Sequence, residues 1–299
     1  MIFPRCFGWL SSAKVNEING LLAEYLSADR LNECLADLPR QFGRQKIRPW
    51  SKIDWRKIDA SQVVDLDLDV FLTIVRGALD TEAPISEYTN TSRQYLAPIH
   101  PQMAEFVGGD GKNLGLWELE EKRHTPALRQ IYRRLSGVNI LPQSREVSSY
   151  EPTADAADDL FRHGLHRIGT ECGATCLYLW LMAHTRGELR AVLGEILIDE
   201  INHTAKFWGF GLWLFGNEKS WRSLPILFLN RNRNSRGLPA TIKRTLSVLG
   251  WSRWTVAQKL SAIYTGIAAM LIFLHWQATL TEDLLQNLLN RDPVSLQPS

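Results

Sequence analysis

Two short stretches combine residues that together can bind a metal ion: Glu-Glu-Lys-Arg-His at 120–124 and Asp-Glu-Ile-Asn-His at 199–203. Each contains a Glu-x-x-His pair, Glu121 with His124 and Glu200 with His203. On a helix the i,i+3 offset sets both side chains on one face, so a carboxylate and an imidazole point the same way. Two such helices, each facing a further helix that adds one glutamate, make the inward-facing ligand set of a carboxylate-bridged di-iron or di-manganese bundle. One Glu-x-x-His is weak evidence, because both residues are ordinary on solvated helix faces. Two carry more weight, since their intervening residues differ and each lies in apolar helical spacing. Leu116, Leu119 and Leu128 surround the first, and Leu193, Ile196, Leu197 and Ile201 the second.

The remaining carboxylates must come from other helices. Residues 64–97 read as a long helix with Phe71, Ile74, Val75, Ala78 and Leu79 on its apolar side and Glu82 and Glu87 as candidate ligands. Pro84 removes a backbone donor and crowds the preceding turn, which predicts a kink or bulge, or else the end of the helix beside Glu82. A glycine-rich connection at 108–111 leads to the helix of Trp117, Glu121 and His124, which runs to Leu135 with Gly137 as its stop. After a crossover at 138–155, a helix over about 156–185 offers Glu171 among Ile168, Ala174, Leu177, Leu179 and Leu181. A charge amid that much apolar surface is costly unless paired or bound to metal. Glu171 precedes Glu200 by 29 residues, room for a hairpin that turns near Thr185-Arg186-Gly187.

Thr175 follows Glu171 by one helical turn, so its hydroxyl either donates a hydrogen bond or proton during oxidation chemistry or bonds back to the Glu171 carbonyl. Cys172 and Cys176 read as small packing residues, and His163, His166 and His184 as surface or satisfied core positions. Upstream, residues 13–40 show the spacing of one or two peripheral helices ending before Pro39. The basic connector from Arg44 to Lys57 carries Trp50 and Trp55, which predicts docking rather than a free tether. Downstream, seven basic residues and no acid fall between Lys219 and Arg244, suiting an acidic carrier or an anionic membrane surface. Leu260 to Leu280 lacks formal charge, with a length that could span a bilayer. Its Ser261, Thr265, His275 and Gln277 favour a buried or membrane-contacting helix, and six tryptophans from Trp208 to Trp276 keep peripheral membrane contact open.

At 299 residues and 45% hydrophobic content the chain can bury a substantial core, and a net charge of +2 gives no global field for nucleic acid. Four cysteines without a paired framework, and an N-terminus without a signal-peptide pattern, point to a cytoplasmic protein.

The segment from Leu116 to His124, continuing through Leu128, Tyr132, Leu135, Ser136 and Gly137, resembles the soluble acyl-carrier-protein desaturases of the ferritin-like superfamily. Asp199-Glu200-x-x-His203 is similar to their second motif, Thr81-Glu82 followed by Tyr88 to their first ligand helix, and Arg48-Pro49-Trp50 through Asp54-Trp55 to their entry segment. The likeness spans about residues 45–210. It implies an all-α, ferritin-like four-helix bundle with a di-iron core and additional N- and C-terminal helices. Glu82, Glu121, His124, Glu171, Glu200 and His203 become the implied iron ligands, with Glu121 and Glu200 bridging or near-bridging. Asp199 and Trp50 match positions that orient His124 and lead electrons in from the surface. Also implied are two iron ions with O2 as co-substrate, hydrogen abstraction from an unactivated methylene of a fatty-acyl chain, an acyl-carrier protein, a ferredoxin-type electron donor and a homodimer. Departures are visible: Thr175 stands four residues after Glu171 where the family has three, and the proline near Glu82 is shifted.

The expected organisation is N-terminal helices and a docking segment at 1–60, the di-iron core at 61–215, and a basic, aromatic helical extension at 216–299. The expected activity is an oxygen-dependent di-iron oxidase, first an acyl desaturase. The alternatives are an N-oxygenase, hydroxylase or aldehyde-deformylating enzyme with the same ligands, or a ferritin-like iron-binding protein.

Overall fold

The structure is a computed structural model that describes residues 11–36, 47–89, 116–143, 154–215, 243 and 245–280, with the backbone alone at 156–160 and 210–215. It is all-helical, with no strand among the described residues beyond an isolated bridge between Val63 and Thr185. In chain order the helices are α1 (Ser12–Tyr25), α2 (Ala28–Ala36), α3 (Leu68–Glu82), α4 (Leu116–Glu121), α5 (His124–Ser136), α6 (Ala156–Met182), α7 (Gly187–Phe215) and α8 (Val256–Thr279).

The expected helix at 64–97 starts later and is interrupted. Asp67 caps α3 by accepting from Asp69 N at 2.8 Å, and the helical path breaks at 83–84 before resuming over 85–89. Pro84 explains the break, because it cannot donate to the carbonyl one turn back. Residues 90–97, the 108–111 connection and 144–153 of the crossover lie outside the described residues. The expected continuous helix through Glu121 and His124 is also broken, at 122–123. Pro126 has no N–H for the Lys122 carbonyl, and Arg123 N bonds instead to Glu120 O at 3.1 Å, a tighter turn from which α5 restarts. Gly137 ends α5 in the left-handed region at φ 73°, its N–H on Arg133 O at 2.9 Å.

α6 and α7 form the expected hairpin and pack along one another. Its turn needs Gly187 at φ 59°, where a Cβ would come within 2.7 Å of Gln62 Nε2. The facing surfaces are apolar: Leu179, Leu181, Leu189, Leu193, Ile196, Leu197 and Ile201 are all at or below 1% exposure. α3 packs on α5, α2 on α7, and α8 on α6 and α1. One hydrophobic cluster runs from Ile18 in α1 through the central helices to Trp276 in α8. Trp180 of α6 anchors α8, stacking on Trp254 at 4.5 Å and donating to Ser261 Oγ at 2.8 Å.

α8 is two-faced. A capping box between Thr255 and Gln258 starts it. Tyr264, Ala268, Phe273 and Trp276 are buried, whereas Ile263, Ile267, Met270, Leu271 and Leu274 are exposed at helical spacing on the other side. The helix is long and apolar enough to cross a membrane by length and composition. Of the basic stretch from Lys219 to Arg244, all but the exposed Lys243 lies outside the described residues.

Candidate dinuclear metal centre

Glu82 ends α3, Glu121 ends α4, His124 opens α5, Glu171 lies within α6, and Glu200 and His203 lie one turn apart on α7. These six residues form two overlapping groups: Glu82, Glu121, His124 and Glu200 in one, Glu121, Glu171, Glu200 and His203 in the other. In each group, one ligand atom per residue lies within 4.8 Å of the rest. Glu121 and Glu200 belong to both, and each group adds one imidazole and one private carboxylate. Glu87, the other candidate of its helix, is exposed and takes no part, because the path from Glu82 to Glu87 carries it round to the outer surface.

Both imidazoles aim Nδ1 inward. His124 Nδ1 lies 3.3 Å from Glu121 Oε2, 3.2 Å from Glu200 Oε1 and 3.9 Å from Glu82 Oε2. His203 Nδ1 lies 2.9 Å from Glu121 Oε1 and 3.5 Å from Glu171 Oε2. These are short separations without hydrogen-bond alignment: Glu121 Oε1, Glu200 Oε1 and both Nδ1 atoms are buried with no hydrogen-bond partner. Burying four such atoms unsatisfied would be costly, and their convergence is what a shared cation resolves. Carboxylate oxygen with imidazole nitrogen suits first-row divalent ions rather than the thiolate-seeking ones.

The outer ring nitrogens are held by carboxylates from the opposite motif. His124 Nε2 faces Asp199 Oδ2 at 3.2 Å, and His203 Nε2 faces Glu120 Oε2 at 3.1 Å. Each Glu-x-x-His is thus preceded by an acid that orients the other motif's histidine, leaving Nδ1 to face inward. Asp199 also accepts from Trp50 Nε1 at 2.8 Å, Arg48 Nε at 2.8 Å and Arg123 at 2.7 Å. The connector therefore docks as expected. Arg48 N donates to Glu120 Oε1 at 2.9 Å and the Arg48 guanidinium pairs with Glu195 at 2.7 Å. Arg123 donates to the Arg48 carbonyl and stacks on Trp50 at 4.9 Å. On the other flank Tyr178 donates to Glu82 Oε1 at 3.3 Å.

The electrostatics follow from crowding buried charge. Burial and the adjacent Glu121 push Glu82 up to about 7. Burial and the neighbouring glutamates push Glu200 well above the carboxylate range. Burial also acts to raise Glu121, but the two imidazoles outweigh it and hold that group well below its usual value. Burial opposes charge on His124 and His203, yet the carboxylates around them raise both well above an ordinary imidazole. Without a metal, protons settle on the imidazoles and on Glu82 and Glu200. Divalent cations would displace them.

Thr175 is buried and does not bond back to the Glu171 carbonyl; its Oγ1 meets Thr204 Oγ1 at 3.4 Å across the α6–α7 interface. Thr204 follows Glu200 by one turn and bonds back to its carbonyl at 2.8 Å. Cys172 is buried beside Cys176. His184 is a core residue, with Nδ1 at 3.3 Å from Val64 O and its ring against Trp180. The residues that the sequence reading passed over are Glu120, Arg48 as an ion-pair partner, Arg123, Tyr178 and Thr204. Glu120 was legible, since it precedes Glu121 as Asp199 precedes Glu200. The others depend on tertiary approach.

No protein-family model matches the chain, and no curated protein or solved structure is significantly similar to it.

Proposed function

We propose that this protein is an oxygen-dependent non-haem di-iron oxidase built on a ferritin-like bundle, with an acyl chain as its first candidate substrate. The single observation that carries the dinuclear reading is the pair of overlapping ligand groups sharing Glu121 and Glu200. Two sites with two common carboxylates match a pair of bridged ions better than one mononuclear site. Bound iron, when reduced, would supply the oxygen-activating chemistry needed to attack an unactivated C–H bond.

The chain's own residues have definite tasks in this reading. Glu82 and His124 would hold an ion in one ligand group and Glu171 and His203 in the other, with Glu121 and Glu200 available to both. Asp199 and Glu120 keep each Nε2 proton outward and each Nδ1 lone pair inward. Trp50 is half-buried and bonded through Asp199 to His124, which supports it as the entry for electrons from a ferredoxin-type donor. Thr175 and Thr204 form a hydroxyl pair one turn beyond two of the ligands, suited to moving a proton. A carrier-bound thioester and a homodimeric assembly are the partners that the desaturase resemblance brings with it.

The test is iron content after reconstitution, then reduction, oxygen exposure and mass spectrometry of acyl thioesters and free acids. About two irons per chain and a loss of two hydrogens from the acyl group would establish the desaturase. Two irons with gain of one oxygen atom would move the activity to an oxygenase. Unchanged iron content in both Glu121→Ala and His203→Ala would refute the site.

A further inference from the structure

Arg167 is a buried cation that the metal site does not satisfy. It lies one turn before Glu171 on α6, and its side chain is 10% exposed. Its guanidinium packs over the Tyr88 ring at 4.2 Å and the Trp117 ring at 5.5 Å. Ring faces stabilise the charge but leave the in-plane N–H groups unpaired. One nitrogen reaches Glu171 Oε1 at 3.5 Å, the outer limit of a hydrogen bond, and Nε is buried without any partner. The arginines that orient Asp199 behave differently, closing to 2.8 and 2.7 Å. Arg167 is therefore not serving Glu171 as Arg48 and Arg123 serve Asp199. A second donor in the same corner is also unpaired, because Trp117 Nε1 is buried without a partner.

Two orphaned donors, one of them charged, are costly to bury unless an acceptor joins them. One guanidinium and one indole N–H suit a monoanion, and the surrounding Ile85, Tyr88, Phe207 and Ile168 suit an apolar body attached to it. We propose that Arg167 and Trp117 form a carboxylate-binding site beside Glu171 that receives the acid group of an apolar organic acid. This rests on the dinuclear reading of the neighbouring residues and, of the acyl substrates proposed above, selects the free acid in place of the carrier-bound thioester, whose acyl carbonyl is uncharged.

The test is calorimetric titration of the zinc-loaded full chain with octanoate and with octanamide, its uncharged counterpart, with zinc content measured in the same samples. Octanoate is expected to bind more tightly than octanamide. Arg167→Gln should weaken octanoate about 10- to 100-fold and leave octanamide unchanged; Arg167→Lys should retain part of the preference, and Trp117→Phe should weaken octanoate several-fold. Equal octanoate affinity in wild type and Arg167→Gln overturns the proposal, because the acid then binds the metal or elsewhere. Loss of zinc in Arg167→Gln also overturns it, showing that the arginine supports Glu171. Zinc below two per chain with Arg167-dependent octanoate binding removes the dinuclear reading and leaves the carboxylate site standing.

Discussion

Asp199→Asn isolates the outer support of the metal site. Asp199 Oδ1 accepts from Arg48, while Oδ2 accepts from Trp50 and Arg123 and faces His124 Nε2. An asparagine has one acceptor oxygen, so whichever way it turns its amide N–H2 meets at least one of these donors. That leaves one or more buried donors unpaired, at about 1 to 3 kcal/mol each, and weakens two charge-assisted bonds. A loss of roughly 3 kcal/mol is expected. The carboxyl's own titration gives the same scale: burial acts to raise it, but His124, Arg48 and Arg123 hold it at about 2 against the usual 3.8. That shift corresponds to about 2 to 3 kcal/mol. The sign is that of a depressed acid, with the stabilisation present above pH 3.8 and lost as pH falls through about 2. Urea unfolding of metal-free protein measures the loss, and competitive zinc titration should show about 10- to 100-fold weaker binding once His124 is no longer oriented. Glu195→Gln is the control: it touches Arg48 and Ser51 but neither histidine, so stability should fall while metal affinity holds. An Asp199→Asn protein within 0.5 kcal/mol of wild type and with unaltered zinc affinity would refute the reasoning.

Glu120→Gln should weaken metal binding through His203 as Asp199→Asn does through His124, and the double variant should lose more than either in the same zinc titration. Raised His124 and His203 contribute stability below pH 6.5 that is lost as pH rises through their higher folded values, and Glu82, raised to about 7, becomes unfavourably charged over 4.5 to 7. Metal-free protein should therefore lose stability on passing from pH 6 to 8 while the stabilisation from added zinc grows, as read by melting curves at each pH. Phe273→Ala on the buried side of α8 should cost about 3 to 5 kcal/mol, and Ile267→Ser on the exposed side within about 0.5, both by urea unfolding. Gly250→Ala should destabilise by at least 1 kcal/mol in the same assay, because φ is 70° and its Cβ would approach Thr73 Cγ2 to 2.7 Å.

The helical class and the candidate ligands were legible in the sequence because both rest on local rules. A three-residue offset sets Glu200 and His203 on one face of α7 whatever surrounds them, and apolar periodicity marks the sides of α3, α6 and α7 that turn inward. Pro84 marks the interruption after Glu82, and by the same rule Pro126 breaks the helix between Glu121 and His124, where apolar spacing alone predicts a continuous one. Other features have no local signature. Glu82 and Glu87 have the same chemistry, and only the packed path of the chain puts one among the histidines and the other in solvent. The exchange of orienting acids, Glu120 to His203 and Asp199 to His124, needs two helices at a fixed height. The unpaired donors of Arg167 and Trp117 arise because α4 and α6 bury them together. The sequence by itself determined which residue types share a helix face, because backbone geometry repeats every few residues. Tertiary structure alone decided which faces meet, and so which charges are paired and which await a partner, because that depends on contacts between residues up to 245 positions apart.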